Sequence, residues 1–208
     1  ALLILAGAGS GRTRVIAHRV AHLIQERHAS LDEVLAVTFT NKAAEEMRHR
    51  VGALLDCDCR GMWISTFHSL CARLLRREAH HLGLSRSFTI YDSGDQQSVI
   101  KQLVKSYGMD DSTFQPRMVL SRISHAKNRM EGPETFNDAW NLRDRDIGKL
   151  YLGYLEALKE ASALDFDDLL LKTVELFDTT PAARERYARR FRFAMIDEGL
   201  GFQLVPWR

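Results

Sequence analysis

Two segments near opposite ends of the chain contain residue types suited to binding a nucleotide phosphate. The first is the glycine-rich run 6–13, which follows an apolar run at 2–5 and precedes a helical pattern. Glycines let the backbone curl so that several N–H groups face one anion, and the helix N-terminus adds about half a positive charge. The phosphate-binding residues predicted from this pattern are Gly7, Ala8, Gly9, Ser10, Gly11, Arg12 and Thr13.

The last two residues of that run decide what chemistry it supports. Thr13 offers a hydroxyl oxygen for Mg²⁺, the hard cation that accompanies nucleotide phosphates. Arg12 stands where a phosphate loop usually has lysine, and its planar, forked guanidinium is not equivalent at a site for a point charge. A glycine-rich turn without a ligand is the alternative. The strand–loop–helix context and Thr13 favour phosphate binding, and we expect Arg12 to affect hydrolysis more than binding.

The second segment is the apolar run 191–196, which ends in Asp197 and Glu198. A carboxylate at the end of a core strand holds the metal in Walker-type sites, and the next acid can orient or deprotonate a water molecule. Two solvated surface acids are the alternative, but the phosphate loop favours the functional interpretation. We therefore predict Thr13 and Asp197 as Mg²⁺ ligands, and Asp197, Glu198 and Arg12 as catalytic residues.

Alternating strand and helix patterns surround these segments. Strands are predicted at Val34–Phe39 and Met62–Ser65, with helices starting near Thr40 or Asn41 and at Phe67. This alternation predicts a doubly wound α/β core. After Tyr91 the pattern becomes helical, begins with a capping-box signature at Ser93-x-x-Gln96, and contains almost no strand signal up to about residue 190. The predicted organisation is a core formed by 1–92 and 188–198, an all-helical insertion at 93–187, and an off-pattern tail at 199–208.

Composition narrows the class of protein. The 29 Lys and Arg against 27 Asp and Glu give a net charge of +2, which excludes an extreme polyanion binder but permits a local basic groove. Three cysteines argue against a secreted disulfide scaffold and for a reducing compartment, and their spacing matches no usual zinc pattern. No apolar run approaches the ~20 residues that span a bilayer. The basic residues along one predicted helix fit a nucleic-acid backbone or a solvated face equally well: Arg117, Arg122, Lys127 and Arg129.

Three blocks of residues resemble a known family. They are the loop Ala-Gly-Ala-Gly-Ser-Gly-Arg-Thr at 6–13, Val-Thr-Phe-Thr-Asn-Lys-Ala-Ala-Glu-Glu-Met at 37–47, and Ser-Thr-Phe-His-Ser at 65–69. Together they are similar to the superfamily 1 DNA helicases of the UvrD, Rep and PcrA type. The stretches Phe88–Asp92 and Asp165–Leu170 also resemble parts of that family, so the similarity extends from the first residue to Glu198.

This resemblance implies a RecA-like P-loop NTPase domain, called 1A, with an inserted helical domain, called 1B. It implies ATP and Mg²⁺ as cofactors, and movement 3′ to 5′ on single-stranded DNA, including single/double-strand junctions, in the bacterial cytoplasm at the nucleoid. The DNA-contacting residues that it implies are Thr38, Phe39, Asn41, Thr66, Phe67 and His68. For Phe39 alone, a buried core aromatic is the more ordinary interpretation, and the family block favours DNA contact.

The sequence also departs from the family pattern. The segment that reads adenine before the phosphate loop and the second motor domain with its arginine finger are missing, and the tail after Glu198 is off-pattern. An arginine finger contributes roughly 10³–10⁵ in rate, so we expect an N-terminal motor portion with negligible turnover by itself. The alternative is a truncated, non-catalytic remnant that binds single-stranded DNA or a partner protein. The oligomeric state is not predicted.

Overall fold

The structure, a computed structural model, describes residues 12–59, 61–137 and 141–197. The predicted strand at 2–5, the phosphate-loop residues Gly7, Ala8, Gly9, Ser10 and Gly11, the acid Glu198 and the tail 199–208 lie outside these residues. Of Arg12, only the backbone is described.

Helices and strands alternate at the start of the described chain, and helices dominate its middle. The helices are α1 (Arg12–Gln25), α2 (Asn41–Leu55), α3 (Phe67–Glu78), α4 (Ser93–Ser106), α5 (Pro116–Asn128), α6 (Leu142–Glu160), α7 (Phe166–Thr179) and α8 (Pro181–Arg190). Short 3₁₀ turns occur at Ala79–His81 and Pro133–Phe136. The strands are β1 (Val34–Thr38), β2 (Trp63–Thr66), β3 (Thr89–Ile90), β4 (Ala163–Leu164) and β5 (Phe193–Asp197).

Three of these strands form a parallel sheet in the order β2-β1-β5. The central strand, β1, is apolar along almost its whole length and largely buried, as expected for a strand covered on both faces. Helices α1 and α2 contribute to the core beside it, which includes Ala17, Val20, Val34, Ala36, Met47, Val51 and Ile64. The α/β class with a parallel sheet is thus confirmed.

The predicted strands in this sheet are present, with ends shifted by one or two residues. β1 ends at Thr38 because the chain turns there and leaves Phe39 exposed. β5 starts at Phe193 rather than residue 191, because the amide of Phe191 still donates to the carbonyl of Tyr187 in α8. Of the two capping residues that the sequence left open for α2, Thr40 is the cap: its hydroxyl accepts from the amide of Ala43.

Contacts divide the chain into two compact units, one containing the segments up to Leu70 and from Pro181, the other Cys71–Thr180. The domain limits predicted from sequence, 92/93 and 187/188, are different and stay a prediction about the family fold. The first limit follows from the end of the strand signal near Tyr91. Thr89–Ile90, however, pairs in parallel with Ala163–Leu164 inside the second unit, and so short a pair has no clear hydrophobic period.

The second unit is built mainly from α4 to α7. Its larger core includes Ile100, Val119, Ile147, Leu150 and Tyr154, and a smaller cluster includes Leu75, Phe88 and Leu169. The capping box predicted for Ser93 and Gln96 is wrong. Asp92 is the cap of α4, because its carboxylate accepts from the amides of Gly94 and Asp95, and the Asp95 side chain accepts from the Asp92 amide.

Candidate functional site

The candidate site lies at the carboxyl edge of the three-stranded sheet. In the parallel register, Thr38 at the end of β1 is the partner of Thr66 at the end of β2 and of Asp197 at the end of β5. Three polar residues therefore form one row across the sheet. Ligands of open α/β sheets bind outside the carboxyl ends of the strands, so this row is a candidate ligand-binding edge.

Thr13 and Asp197 meet at one end of this row. The Thr13 hydroxyl donates to Asp197 Oδ2 over 2.6 Å, although 184 residues separate the two in sequence. That length is typical of a hydroxyl bonded to an ionised carboxylate. Hydroxyl and carboxylate oxygens are the hard donors that Mg²⁺ prefers, so the pair fits the metal that the family implies. The structure does not describe the side chains of Arg12 and Glu198.

The segment after β1 buries one predicted residue and exposes the next. Thr38 is 1% exposed and its hydroxyl donates to the carbonyl of Thr40, so its side chain shapes the turn. Phe39 is 68% exposed, directly beyond the end of the strand. Asn41 is the exposed first residue of α2. Phe39 is thus not part of the core, and its ring is accessible to a ligand.

The segment after β2 repeats this arrangement. Thr66 is buried; its hydroxyl donates to Ser69 Oγ over 2.9 Å and accepts from the Ser69 amide, as a helix N-cap does. Phe67 is 41% exposed, and His68 is half-buried. Ser69 was not singled out from the sequence, although a Thr-x-x-Ser spacing at the start of a helical pattern is a signal for such a cap. Two adjacent strands therefore each end in a buried threonine followed by an exposed phenylalanine.

Comparison with known proteins assigns the chain to a family. The UvrD/REP helicase N-terminal domain model matches residues 1–203. The chain belongs to this family. It is 46% identical over 198 residues to the ATP-dependent DNA helicase PcrA of Bacillus subtilis, and equally to PcrA of Staphylococcus epidermidis. PcrA of Staphylococcus aureus is 45% identical over the same length. These alignments cover 95% of the chain and 27% of each relative.

The basic residues of α5 and Arg129, which follows it, do not form one continuous cationic face in this UvrD/REP chain. Lys127 is 2% exposed, so it fits neither alternative that the sequence left open, DNA contact or solvated face. Arg122 pairs with Asp144 at 2.9 Å, and Arg129 with Glu131 at 2.8 Å. Arg117 donates to Gln97. The three arginines are solvated surface residues with local partners.

Within the part of the chain that the structure describes, no helix has the length and apolarity needed to cross a membrane.

Lys127 belongs to a buried polar network inside the helical unit. Its Nζ lies 2.7 Å from both Asp165 Oδ2 and Asp168 Oδ1, and the Tyr154 hydroxyl donates to Asp165 Oδ2 over 2.9 Å. The two aspartates also cap α7 as a capping box. The network joins α5, α6 and α7 through four side chains. The sequence pointed to 165–170 only as a family-like stretch, and no local signal shows that a lysine on α5 is buried against it.

Burial and charge move the pKa values of the two aspartates in opposite directions. Burial raises the pKa of Asp165, but the charge of Lys127 and several hydrogen bonds outweigh it and hold the pKa below its ordinary value. Burial and the neighbouring charge of Asp165 raise the pKa of Asp168 above its ordinary value, despite Lys127. Burial and the same two carboxylates also raise the pKa of Tyr154, which keeps its hydroxyl a donor.

A second group of possible metal ligands lies in the helical unit, where α3 ends. The ligand atoms of Glu78, His80 and His81 all lie within 4.8 Å of one another. Imidazole nitrogens suit Zn²⁺ and related transition metals rather than Mg²⁺. This group is therefore chemically distinct from the oxygen pair of Thr13 and Asp197.

Proposed function

We propose that this chain is the nucleotide- and DNA-binding part of an ATP-dependent helicase that moves 3′ to 5′ on single-stranded DNA. The chain spans about 27% of the length of the PcrA relatives, so unwinding itself is proposed for a complete helicase of their length. One observation carries the proposal: Thr66, Thr38 and Asp197 share a register row, with Thr13 bonded to one end of it.

The nucleotide end of the row is proposed to hold ATP and Mg²⁺. In this proposal the backbone amides of residues 7–11 and the Arg12 side chain hold the phosphates. Thr13 and Asp197 supply oxygen ligands to the metal, and Glu198 holds the attacking water. Bound Mg²⁺ would neutralise charge that develops on the phosphates. The support within the described residues is the hydroxyl–carboxylate contact of 2.6 Å between Thr13 and Asp197.

The other part of the edge is proposed to hold single-stranded DNA, up to a junction with duplex. Sequence-independent binders combine polar contacts to phosphates with aromatic rings on which bases stack. Phe39 and Phe67 are exposed beyond neighbouring strand ends and suit stacking. The threonines before them are buried, so we assign Thr38 and Thr66 to positioning the turns. Asn41 and His68 are the proposed polar contacts.

The proposal includes the domain organisation of the family. A RecA-like core formed by 1–92 and 188–198 would contain an insertion at 93–187 that is helical apart from the two-residue strand β4. The largely helical composition of the second compact unit, Cys71–Thr180, supports this organisation. The parallel β2-β1-β5 sheet with helices α1 and α2 supports the assignment of the core.

Replacing Phe39 tests the DNA part of the proposal. Phe39→Ala should weaken binding of labelled single-stranded DNA by about 1–3 kcal/mol, since one stacked base is lost. Phe39→Tyr, which keeps the ring, should bind like the parent. Fluorescence anisotropy at fixed salt measures all three, and urea unfolding should show no loss of stability because the ring is 68% exposed. Equal DNA affinity of Phe39→Ala and the parent would remove Phe39 from the DNA path.

Arg12 at the lysine position favours a second candidate, a non-catalytic protein that binds single-stranded DNA or a partner protein. A guanidinium does not reproduce the placement of a lysine charge at the phosphates. DNA-stimulated phosphate release separates the two candidates. If Arg12→Lys in the 208-residue chain gives robust DNA-stimulated turnover, these residues suffice for hydrolysis and the binding-only candidate is limited to the Arg12 form.

A further inference from the structure

The loop between α2 and β2 brings two thiols together outside the site described above. Cys57 Sγ and Cys59 Sγ lie 3.6 Å apart, and both cysteines are free thiols. Cys57 is exposed, whereas Cys59 is 4% exposed and belongs to the same core cluster as Met47 and Val51. One sulfur is therefore accessible to a reagent in solution, and the other lies directly behind it.

The backbone holds this pair in place. Asp56 ends α2 in the left-handed conformation, with φ 49° and ψ 45°, and its amide donates to the carbonyl of Gly52. The Cys57 amide donates to the same carbonyl over 3.2 Å. A Cβ on Gly52 would lie 3.2 Å from the Cys57 carbonyl oxygen, so the glycine permits the loop to approach the helix this closely. The Met62 amide closes the other side by donating to the Cys59 carbonyl.

We propose that Cys57 and Cys59 form a redox-active dithiol that closes into a disulfide by exchange with a small-molecule disulfide such as oxidised glutathione. Exposure makes Cys57 the residue that reacts with the external disulfide. Burial, followed by the hydrogen bond with Cys57, raises the pKa of Cys59 to about 11, so Cys59 is protonated when Cys57 makes the first attack.

The exchange balances in two steps. The Cys57 thiolate attacks one sulfur of oxidised glutathione, forming a mixed disulfide and releasing one glutathione thiolate. Cys59 then loses its proton to solvent and attacks Cys57 Sγ, which breaks the mixed disulfide and releases the second glutathione. Two protein thiols are oxidised and one glutathione disulfide is reduced. The sulfurs must move from 3.6 Å to about 2.05 Å, and the strain of a bridge across one residue makes the bond readily reducible.

Peptide mass mapping after exposure to glutathione tests the proposal. Trypsin cuts after Arg50 and Arg60, so the peptide 51–60 contains both cysteines, and the peptide 61–73 contains Cys71 as an internal control. Folded protein is equilibrated in glutathione buffers, remaining thiols are alkylated, and the digest is weighed. We expect 51–60 to lack two hydrogens and to take up no alkyl group. Cys71 is 6% exposed and should stay a reduced thiol, alkylated only after unfolding.

Two substitutions and a peptide sharpen the result. Cys59→Ser should accumulate a glutathione adduct on Cys57, because the resolving sulfur is gone, and Cys57→Ser should form neither adduct nor disulfide. Cys59→Ala replaces Cys59→Ser if the serine variant fails to fold. The ratio of disulfide to dithiol should be at least about tenfold greater in the folded protein than in a synthetic 51–60 peptide, which corresponds to ~30 mV.

Three outcomes would overturn the proposal. The first is a folded parent that keeps glutathione on Cys57 to the same extent as Cys59→Ser. The second is an equal ratio of disulfide to dithiol in the folded protein and the free peptide. The third is a folded parent whose peptide 51–60 takes up two alkyl groups in every glutathione buffer.

Discussion

Each compact unit contains a cluster of polar side chains, and the two clusters differ in how exposed those side chains are and in what they bond. At the sheet edge, Thr13 and Asp197 are half-buried, Thr38 and Thr66 are buried, and Phe39 is 68% exposed. In the helical unit, Lys127 is 2% exposed and lies against Asp165 and Asp168 at 2.7 Å each. The sheet edge therefore combines a partly exposed hydroxyl–carboxylate pair with an exposed ring, whereas the polar atoms of the helical cluster bond to one another.

The difference follows from the electrostatics of burial. A buried ion must be paired and hydrogen-bonded, because its desolvation is not otherwise offset. Lys127 and its two aspartates meet this requirement by pairing with each other. Thr13 and Asp197 are only half-buried, so their oxygens can exchange water for a ligand. The buried network therefore joins helices, and ligand recognition stays a proposal for the sheet edge.

The largest effect should come from removing the buried cation. Lys127→Met leaves two buried carboxylates without their counter-ion and should lower the free energy of unfolding by about 3–5 kcal/mol, measured by urea unfolding. Lys149→Met is the matched control, because Lys149 also pairs with an aspartate at 2.8 Å but is 66% exposed. It should change stability by less than ~1 kcal/mol. Equal effects of the two substitutions would mean that the Lys127 network does not stabilise the packing of α5, α6 and α7.

A smaller difference in stability is expected between variants of the two aspartates, because the pKa values of Asp165 and Asp168 are shifted in opposite directions. The Asp165 pKa is below its ordinary value of 3.8, so its ionised form adds stability above that pH, which is lost as the pH falls through the folded pKa. The Asp168 pKa is raised, so its contribution is present below 3.8 and is lost as the pH rises through the folded pKa. At neutral pH, Asp165→Asn should therefore destabilise more than Asp168→Asn.

Urea midpoints of the parent and both variants between about pH 3 and pH 7 measure this difference. The acid-side loss of stability should be weaker in Asp165→Asn than in the parent. Asp168→Asn should instead become more favourable relative to the parent as the pH rises. If the two variants gave superimposable pH profiles, the charge of Lys127 would be shared equally and the assigned asymmetry would be wrong.

The smallest expected effect lies at the sheet edge. Thr13→Val removes the hydroxyl that donates to Asp197 and should lower the free energy of unfolding by about 0.5–1.5 kcal/mol, while Thr13→Ser keeps the bond. Thermal unfolding measures both variants, and titration of nucleotide with and without Mg²⁺ shows whether the metal dependence is lost in the valine variant alone. A stability loss as large as that of Lys127→Met would make Thr13 a structural residue rather than part of a recognition edge.

Much of the α/β part was predictable because it depends on local patterns. Apolar runs of strand length followed by helical spacing predicted β1, β2 and β5 to within two residues. The cap of α4 was misplaced by one residue, because Asp92 and Ser93 both suit an N-cap and only the extended backbone at Asp92 decides between them. The β3–β4 pair was missed because two-residue strands are held by long-range partners rather than by their own period.

The amino-acid sequence by itself determined the family, the residue types at the strand ends and the order of the elements that place them. Only the tertiary structure decided that Thr66, Thr38 and Asp197 share one row, that Phe39 is exposed, and that Lys127 is internal. Strand register and burial depend on which distant segments pack together. The Thr13–Asp197 contact spans 184 residues and the Lys127–Asp165 contact spans 38, beyond the reach of any local pattern.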